Sequence, residues 1–332
     1  MNFSWQIVRF NLKETFSISY GSYNFREALI VSLSHKGYKG YGECTSIDYY
    51  NINLDDFTAK LHLIQSKIES QKILHPTDFY QFLLTLNLHS FLRSAIDCAY
   101  WDLFGKLEKR SFLELNSIEI KQLPESSITI SVAPVDNQIQ KIKSSHWTKF
   151  KVKCNHFDAN AIQKLLDLDY NIALDSNASF TKDNCLQIQD DPKFSKFSYL
   201  EQPMKTGFEN YKFLTADASA NWMADEDCHS VDDLQNLQSH YKSINIKLVK
   251  CGGLTPALAL LSEARKLNFK IMIGCMTEST IGISADAMVA PLCDYADLDG
   301  ANLIENDSAK GTKIVNGRIQ LSEKSGLGIE LI

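Results

Sequence analysis

From about residue 126 onward the chain repeats one unit, a short apolar run followed by an amphipathic stretch, roughly every 22 to 28 residues. This rhythm limits the fold more than any other feature. Strands that alternate with helices build a parallel sheet, because each return crossover carries a helix. The candidate strands are 128–132, 149–153, 171–175, 199–201, 222–225, 244–249, 270–274 and 298–303. Eight in this order predict a closed (β/α) barrel. An open doubly wound sheet is the competing arrangement, but no GxGxxG follows any of the runs. One helix shows its start plainly over 255–267. Thr255 stands as cap, Pro256 falls in the first turn, and Ala257, Leu260, Leu261, Ala264 and Leu267 share a face.

Upstream the pattern differs. Residues 1 to about 50 read as strands, with a β-rich run at 28–34 and a Gly- and Tyr-rich run at 38–43. Residues 54–108 read as helical, and Leu92, Ala95, Ile96, Ala99 and Leu103 lie on one face of 90–107. Strands followed by helices, without alternation, predict an α+β unit. Residues 312–332 read as strand and turn, able to return to that first unit.

Lys and Arg total 34 against 40 Asp and Glu. That mild acidic excess argues against nucleic acid or an anionic membrane as the main partner. The eight cysteines are scattered, with no CxxC, so reduced thiols and a cytoplasmic setting are expected. Residues 1–6 lack the charged start and apolar stretch of a signal peptide. No run approaches the roughly 18 apolar residues of a membrane span.

Barrel active sites form where strands end. Asp175, Glu201 and Asp225 end three successive candidate strands, 26 and 24 residues apart. Neighbouring strands lie about 4.8 Å apart, so three acids would share one patch. Like charges that close repel unless a cation joins them. Hard oxygen donors without His or Cys select Mg²⁺ over zinc or copper.

Lys151 and Lys153 are two apart and point to one side of their strand, while Phe150 and Val152 face the helices. Lys247 shares that inward parity with Asn245, against Ile244, Ile246 and Leu248. Strands two and six are opposed in an eight-stranded barrel, with the acids between them. A substrate held among the acids would meet one lysine on each face. Removing a proton beside a carboxylate makes a dianionic enediolate, which a divalent cation stabilises. Two opposed bases can take the proton on one side and return it on the other. Lys151 beside Lys153 is expected to lower the base's pKa.

Lys151-Val152-Lys153, Asp175, Glu201 in YLEQP, Asp225 in MADE and Lys247 in NIKLVKCGG resemble the muconate-lactonizing subgroup of the enolase superfamily. Gly42-Glu43-Cys44-Thr45 and the run 95–105 (AIDCAYWDLFG) resemble segments of its capping domain. The pairing of a Lys base with Mg²⁺ is a general property of that superfamily. The resemblance implies an α/β fold: a modified (β/α)7β TIM-like barrel with an α+β capping domain. The capping domain would span 1–120, the barrel 121–311, and a C-terminal segment, 312–332, would return to the cap. It further implies Lys153 and Lys247 as acid/base catalysts, Asp175, Glu201 and Asp225 as Mg²⁺ ligands, and Lys151 as a contact to the substrate carboxylate. Met276, Thr277 and Glu278 would line the site.

Asp297 and Asp299, in DLD, narrow the resemblance to the dipeptide epimerases, where such a pair holds the substrate's α-ammonium. The L-Ala-D/L-Glu epimerases, whose context is murein peptide recycling, are the nearest group. Their first capping loop resembles RGSRSEA; here Tyr23 falls where an arginine would contact the Glu side chain, and Arg26 follows. Phe16, Tyr49 and Tyr50 join these two as candidates for the side-chain pocket. The expected partner is a small dipeptide, and barrels of this kind often self-associate. Competing readings are o-succinylbenzoate synthase, N-succinylamino acid racemase or muconate cycloisomerase within the subgroup, a metal-free Schiff-base aldolase, and a non-catalytic binder.

Overall fold

The computed structural model describes residues 1–332. Three antiparallel strands come first: β1 (Asn2–Ile18), β2 (Gly21–His35) and β3 (Tyr38–Thr45). Three helices follow: α1 (Leu54–Glu69), α2 (Pro76–Leu84) and α3 (Ser90–Glu108). Asn53 caps α1 by accepting the N–H groups of Asp55 and Asp56. The inner face of the sheet (Leu29, Val31, Leu33) packs on Leu92, Ala95, Ile96, Ala99 and Leu103 of α3. Glycine makes that packing close: a Cβ on Gly42 would stand 1.9 Å from the Ala95 carbonyl oxygen. The β3 backbone therefore lies directly on the α3 backbone, which explains the two glycines in the 38–43 run.

Eight parallel strands build the second unit, in the spatial order of the chain: β4 (Ile128–Ile130), β5 (Lys149–Lys153), β6 (Asn171–Asp175), β7 (Leu200–Glu201), β8 (Trp222–Ala224), β9 (Ser243–Ile246), β10 (Lys270–Gly274) and β11 (Tyr295–Asp297). A parallel bridge from Ser126 to Ala296 joins the last strand to the start of the first. The fold is thus the expected TIM-like barrel with an α+β cap. Three strands begin and end at the expected residues. Two do not. The sixth was expected to run to 249, but it ends at Ile246 and Leu248–Cys251 forms a helical turn. The eighth was expected at 298–303. It is Tyr295–Asp297, and Gly300–Leu303 is a 3₁₀ turn. The helix after β9 spans Leu254–Lys266 with Gly253 at its cap position, and Thr255 instead bonds Asp97 of α3.

Outward side chains such as Phe150, Val152, Ile244 and Ile246 meet the helices in the main core. Inside the barrel, Ala173, Tyr199, Met223 and Met272 form a small apolar floor. The β1–β2 hairpin reaches over the opposite, C-terminal end of the strands. Val132 N–H donates to Ser17 O (3.0 Å), and Ser19 Oγ donates to Asn177 O (3.3 Å). The chain end packs against α3, where Asp102 accepts the Leu327 N–H (2.8 Å) and Lys106 donates to Ile329 O (2.8 Å).

Candidate active site

Each acid stands two residues beyond a floor side chain, in a strand or directly at its end: Asp175 beyond Ala173, Glu201 beyond Tyr199, Asp225 beyond Met223. Two-residue steps return to the same face, so all three point into the barrel. Asp175 and Glu201 are direct register partners, and Asp225 lies just past the end of β8. Lys153 is the register partner of Asp175 on its other side. Lys153 and Lys247 come from the second and sixth strand positions, four apart in a sheet of eight.

All of these groups are buried. Lys151 is 3% exposed and Lys153 and Lys247 8% each. Lys153 pairs with Asp175, and Lys247 Nζ lies 2.7 Å from Asp225. Lys151 pairs with Asp297 and stands 3.4 Å from Glu201 and 3.8 Å from Asp175. Burial alone would lower the Lys247 pKa, but Asp225 and Glu201 outweigh it and hold the pKa above the ordinary value. Lys151 is raised in the same way, against burial, by Asp297, Glu201 and Asp175. Around Lys247, acids and not ammonium groups dominate, and the nearby Lys151 only partly offsets them. Burial raises Asp225, but Lys247 and Lys250 bring it below the carboxylate range. Glu201 is pushed up to about 7 by burial and by Asp175.

The three carboxylates are not gathered as one ready-made metal-binding group; each leans toward an ammonium or an amide. Their chemistry nonetheless fits a hard divalent cation. They supply oxygen donors only, in adjacent positions, and Glu201 Oε2 is buried without a hydrogen-bond partner.

Asp297 ends β11, which places DLD at the open end of the barrel and not at the start of a strand. Asp297 Oδ1 accepts from Ser127 Oγ (2.7 Å), and Asp299 Oδ2 accepts the Thr129 N–H (2.7 Å). Both line one pocket with Lys151, Lys153, Lys247, Met276 and Thr277. Arg26 lines it too, with Phe16 from the hairpin. Arg26 is buried, its guanidinium lies 3.5 Å over the Tyr23 ring, and its Nε has no partner. Tyr23 stands behind Arg26 and not among the lining residues, and its hydroxyl donates to Asp48 (3.0 Å). Tyr49 and Tyr50 also lie outside the lining. Tyr49 stacks on Tyr20, and Tyr50 packs on Phe91. Glu278 points away from the pocket, toward Asp286 and Glu43.

Several contributors escaped the sequence reading. Asn245 Nδ2 donates to Glu201 Oε1 (2.7 Å). Lys250 donates to the Asp225 carboxylate and carbonyl. Gln202 ties two strand ends together: its Oε1 accepts the N–H groups of Asp225 (3.0 Å) and Asp227 (3.2 Å). The inward parity of Asn245 was a usable signal, whereas nothing local marks Gln202. Tyr20 lines the pocket from the hairpin tip.

Comparison with known proteins agrees with this geometry. The enolase C-terminal domain-like family matches residues 135–332. An L-Ala-D/L-amino acid epimerase from Maribacter is 34% identical, over 100% of this chain and 99% of its own length. The L-Ala-D/L-Glu epimerase of Escherichia coli is 30% identical, over 93% and 96%. Among solved structures, an enolase family member from Agrobacterium tumefaciens with homology to dipeptide epimerases, holding sodium and L-Ala-L-Glu, superposes with a TM-score of 0.86 at 27% identity, covering 97% of this chain and 98% of that one. A dipeptide epimerase from Enterococcus faecalis, complexed with Mg and L-Leu-L-Tyr, gives 0.87 at 25% identity, covering 99% and 98%. The chain belongs to the enolase C-terminal domain-like family, within the enolase superfamily.

Proposed function

We propose that this chain is a Mg²⁺-dependent dipeptide epimerase that inverts the α-carbon of the C-terminal residue by proton transfer between Lys153 and Lys247. The observation that carries this reading is the placement of two buried lysines on opposed strands, each against a different acid of one patch. Relatives named as dipeptide epimerases support it along the full length of the chain.

Asp175, Glu201 and Asp225 would hold the Mg²⁺ ion. Bound there, it would supply positive charge to stabilise the second negative charge developing on the substrate carboxylate. Lys151, at the side of the patch, donates to the substrate carboxylate. Asp297 and Asp299 receive the α-ammonium, a charge-complementary contact. Lys153 and Lys247 work in opposite protonation states. The neutral amine removes the α-proton from one face, and the ammonium opposite delivers a proton to the other. Burial under the hairpin keeps water from exchanging with the carbanion before reprotonation.

Arg26 selects the side chain. A buried guanidinium without an acidic partner in the protein is poorly satisfied, and a substrate carboxylate would complete it. The preferred substrate is therefore an L-Ala dipeptide ending in an acidic residue, a substrate that suits cytoplasmic murein peptide recycling. Asp299 argues against an N-acylated substrate, which would offer these acids no cation.

The test is incubation of L-Ala-L-Glu and L-Ala-D-Glu with Mg²⁺ in D₂O, followed by proton NMR. Deuterium should enter the Glu α-position as the epimers interconvert. Absence of α-exchange across a panel of acidic and neutral L-Ala dipeptides would overturn the reading. Full turnover of an N-succinylamino acid instead would assign the chain to the racemase branch.

A further inference from the structure

Away from the lysine pocket the fold buries a second group of acids. Glu43 lies in β3 of the cap, Glu278 in the loop after β10, and Asp286 in the helix Thr280–Ala287. They are 4%, 3% and 2% exposed, so water does not solvate them. Glu43 accepts the Ser279 N–H (3.0 and 3.2 Å), the Ser279 hydroxyl and the Gly282 N–H (3.1 Å). Glu278 Oε1 accepts the Met276 N–H (3.0 Å). Its Oε2 lies against Gly282, where a Cβ would fall 2.2 Å away. Asp286 faces Glu278 within hydrogen-bonding reach, yet its Oδ2 meets no N–H or O–H donor.

Two carboxylates cannot bond each other unless one carries a proton, and adjacent buried acids cannot all ionise. The groups around the cluster do not relieve this. Lys247 is the cation that reaches Glu278, and it is engaged by Asp225. The remaining titratable neighbours are the buried thiols of Cys44, Cys98, Cys251 and Cys275. We propose that Glu43, Glu278 and Asp286 form a proton-sharing clasp that fixes the cap to the loop after β10 and so sets where Met276 and Thr277 stand in the pocket. All three are positioning residues, acting through the loop and touching no substrate. Burial, with Glu278 nearby, holds Glu43 up to about 8, and burial with Glu278 holds Asp286 well above the carboxylate range. The folded chain therefore binds protons that the unfolded chain releases, and stability falls as pH rises through that interval. The clasp is independent of the epimerase reading; only its service to the pocket rests on it.

Thermal unfolding of the full chain between about pH 5.5 and 8.5 tests it, because linked protons appear as a pH-dependent Tm. The wild-type Tm should fall across the interval, and that fall should shrink in Glu43→Gln, which keeps an acceptor for Ser279 and Gly282 without needing a proton. Glu43→Ala, which loses the acceptor, should melt below Glu43→Gln throughout. A Glu43→Gln variant with the wild-type pH dependence would overturn the clasp. If that variant does not fold, Asp286→Asn is measured in its place and judged by the same two outcomes. Hydrogen exchange over 275–284, corrected for intrinsic rates, should lose protection at the higher pH in wild type; unchanged protection would overturn the positioning role. None of these readouts requires turnover, so failure of the clasp and failure of the epimerase reading are separable.

Discussion

In the proposed mechanism Lys153 and Lys247 carry the chemistry, and neither is a surface cation. Each is buried against a carboxylate, an arrangement that costs desolvation and adds little net stability. Lys153→Ala and Lys247→Ala should each reduce steady-state epimerisation at least about 100-fold, the usual scale for a lost general acid/base, measured by polarimetry or NMR. Arg26→Met should cut kcat/KM for L-Ala-L-Glu by roughly 10- to 100-fold, the scale of a hydrogen bond to a charged group, while L-Ala-L-Leu changes little. Equal losses on both substrates would remove the specificity role. The lysines and acids were legible in the sequence because strand parity and strand-end position are local properties. Tyr23 and Arg26 are three positions apart in β2, but only the folded hairpin shows that Arg26 lines the pocket and Tyr23 supports it.

At the scale of elements, two contacts lock the cap to the barrel and to itself. Gly42 lets β3 lie on α3, so Gly42→Ala must force the two backbones apart and should destabilise the fold by about 1–3 kcal/mol or more, read as a lowered Tm. Asp97 of α3 accepts the Thr255 N–H (2.9 Å) and hydroxyl (2.8 Å) at the start of the helix Leu254–Lys266. Burial pushes Asp97 up to about 7 from 3.8. The folded state holds that proton more tightly than the unfolded chain, so Asp97's contribution to stability is full at low pH and is lost as pH rises from about 4 to about 7. Asp97→Asn should flatten the Tm profile in that window; an unchanged slope would contradict the assignment. The strand–helix rhythm made β5, β6 and β10 readable to the residue. The eighth strand was misplaced because β11 is three residues long and most of the run after it, Gly300–Leu303, turns as a 3₁₀ helix against the hairpin. Apolar runs mark burial, and a buried turn carries the same mark as a buried strand.

For the whole molecule, the cap and barrel enclose a pocket in which Arg26, Lys151, Lys153 and Lys247 stand with Asp297 and Asp299. Chelation should abolish activity, and Mg²⁺ should restore it. Because Mg²⁺ needs the assembled acids, it should also raise the Tm, by about 2.7 kcal/mol of added stability at roughly a hundredfold excess over Kd. A Tm indifferent to Mg²⁺ would count against the ligand assignment. Contacts that span the chain, such as Glu43 with Ser279 across 236 positions, were beyond sequence reading, since nothing local reports which distant backbone an acid will meet. The central claim is that Lys153 and Lys247 serve opposite faces of one α-carbon, and stereospecific exchange in D₂O tests it most directly. Each single lysine-to-alanine variant, given each epimer with Mg²⁺, should exchange the α-proton of one epimer only, and the two variants should choose opposite epimers. Exchange of the same epimer by both variants would contradict it.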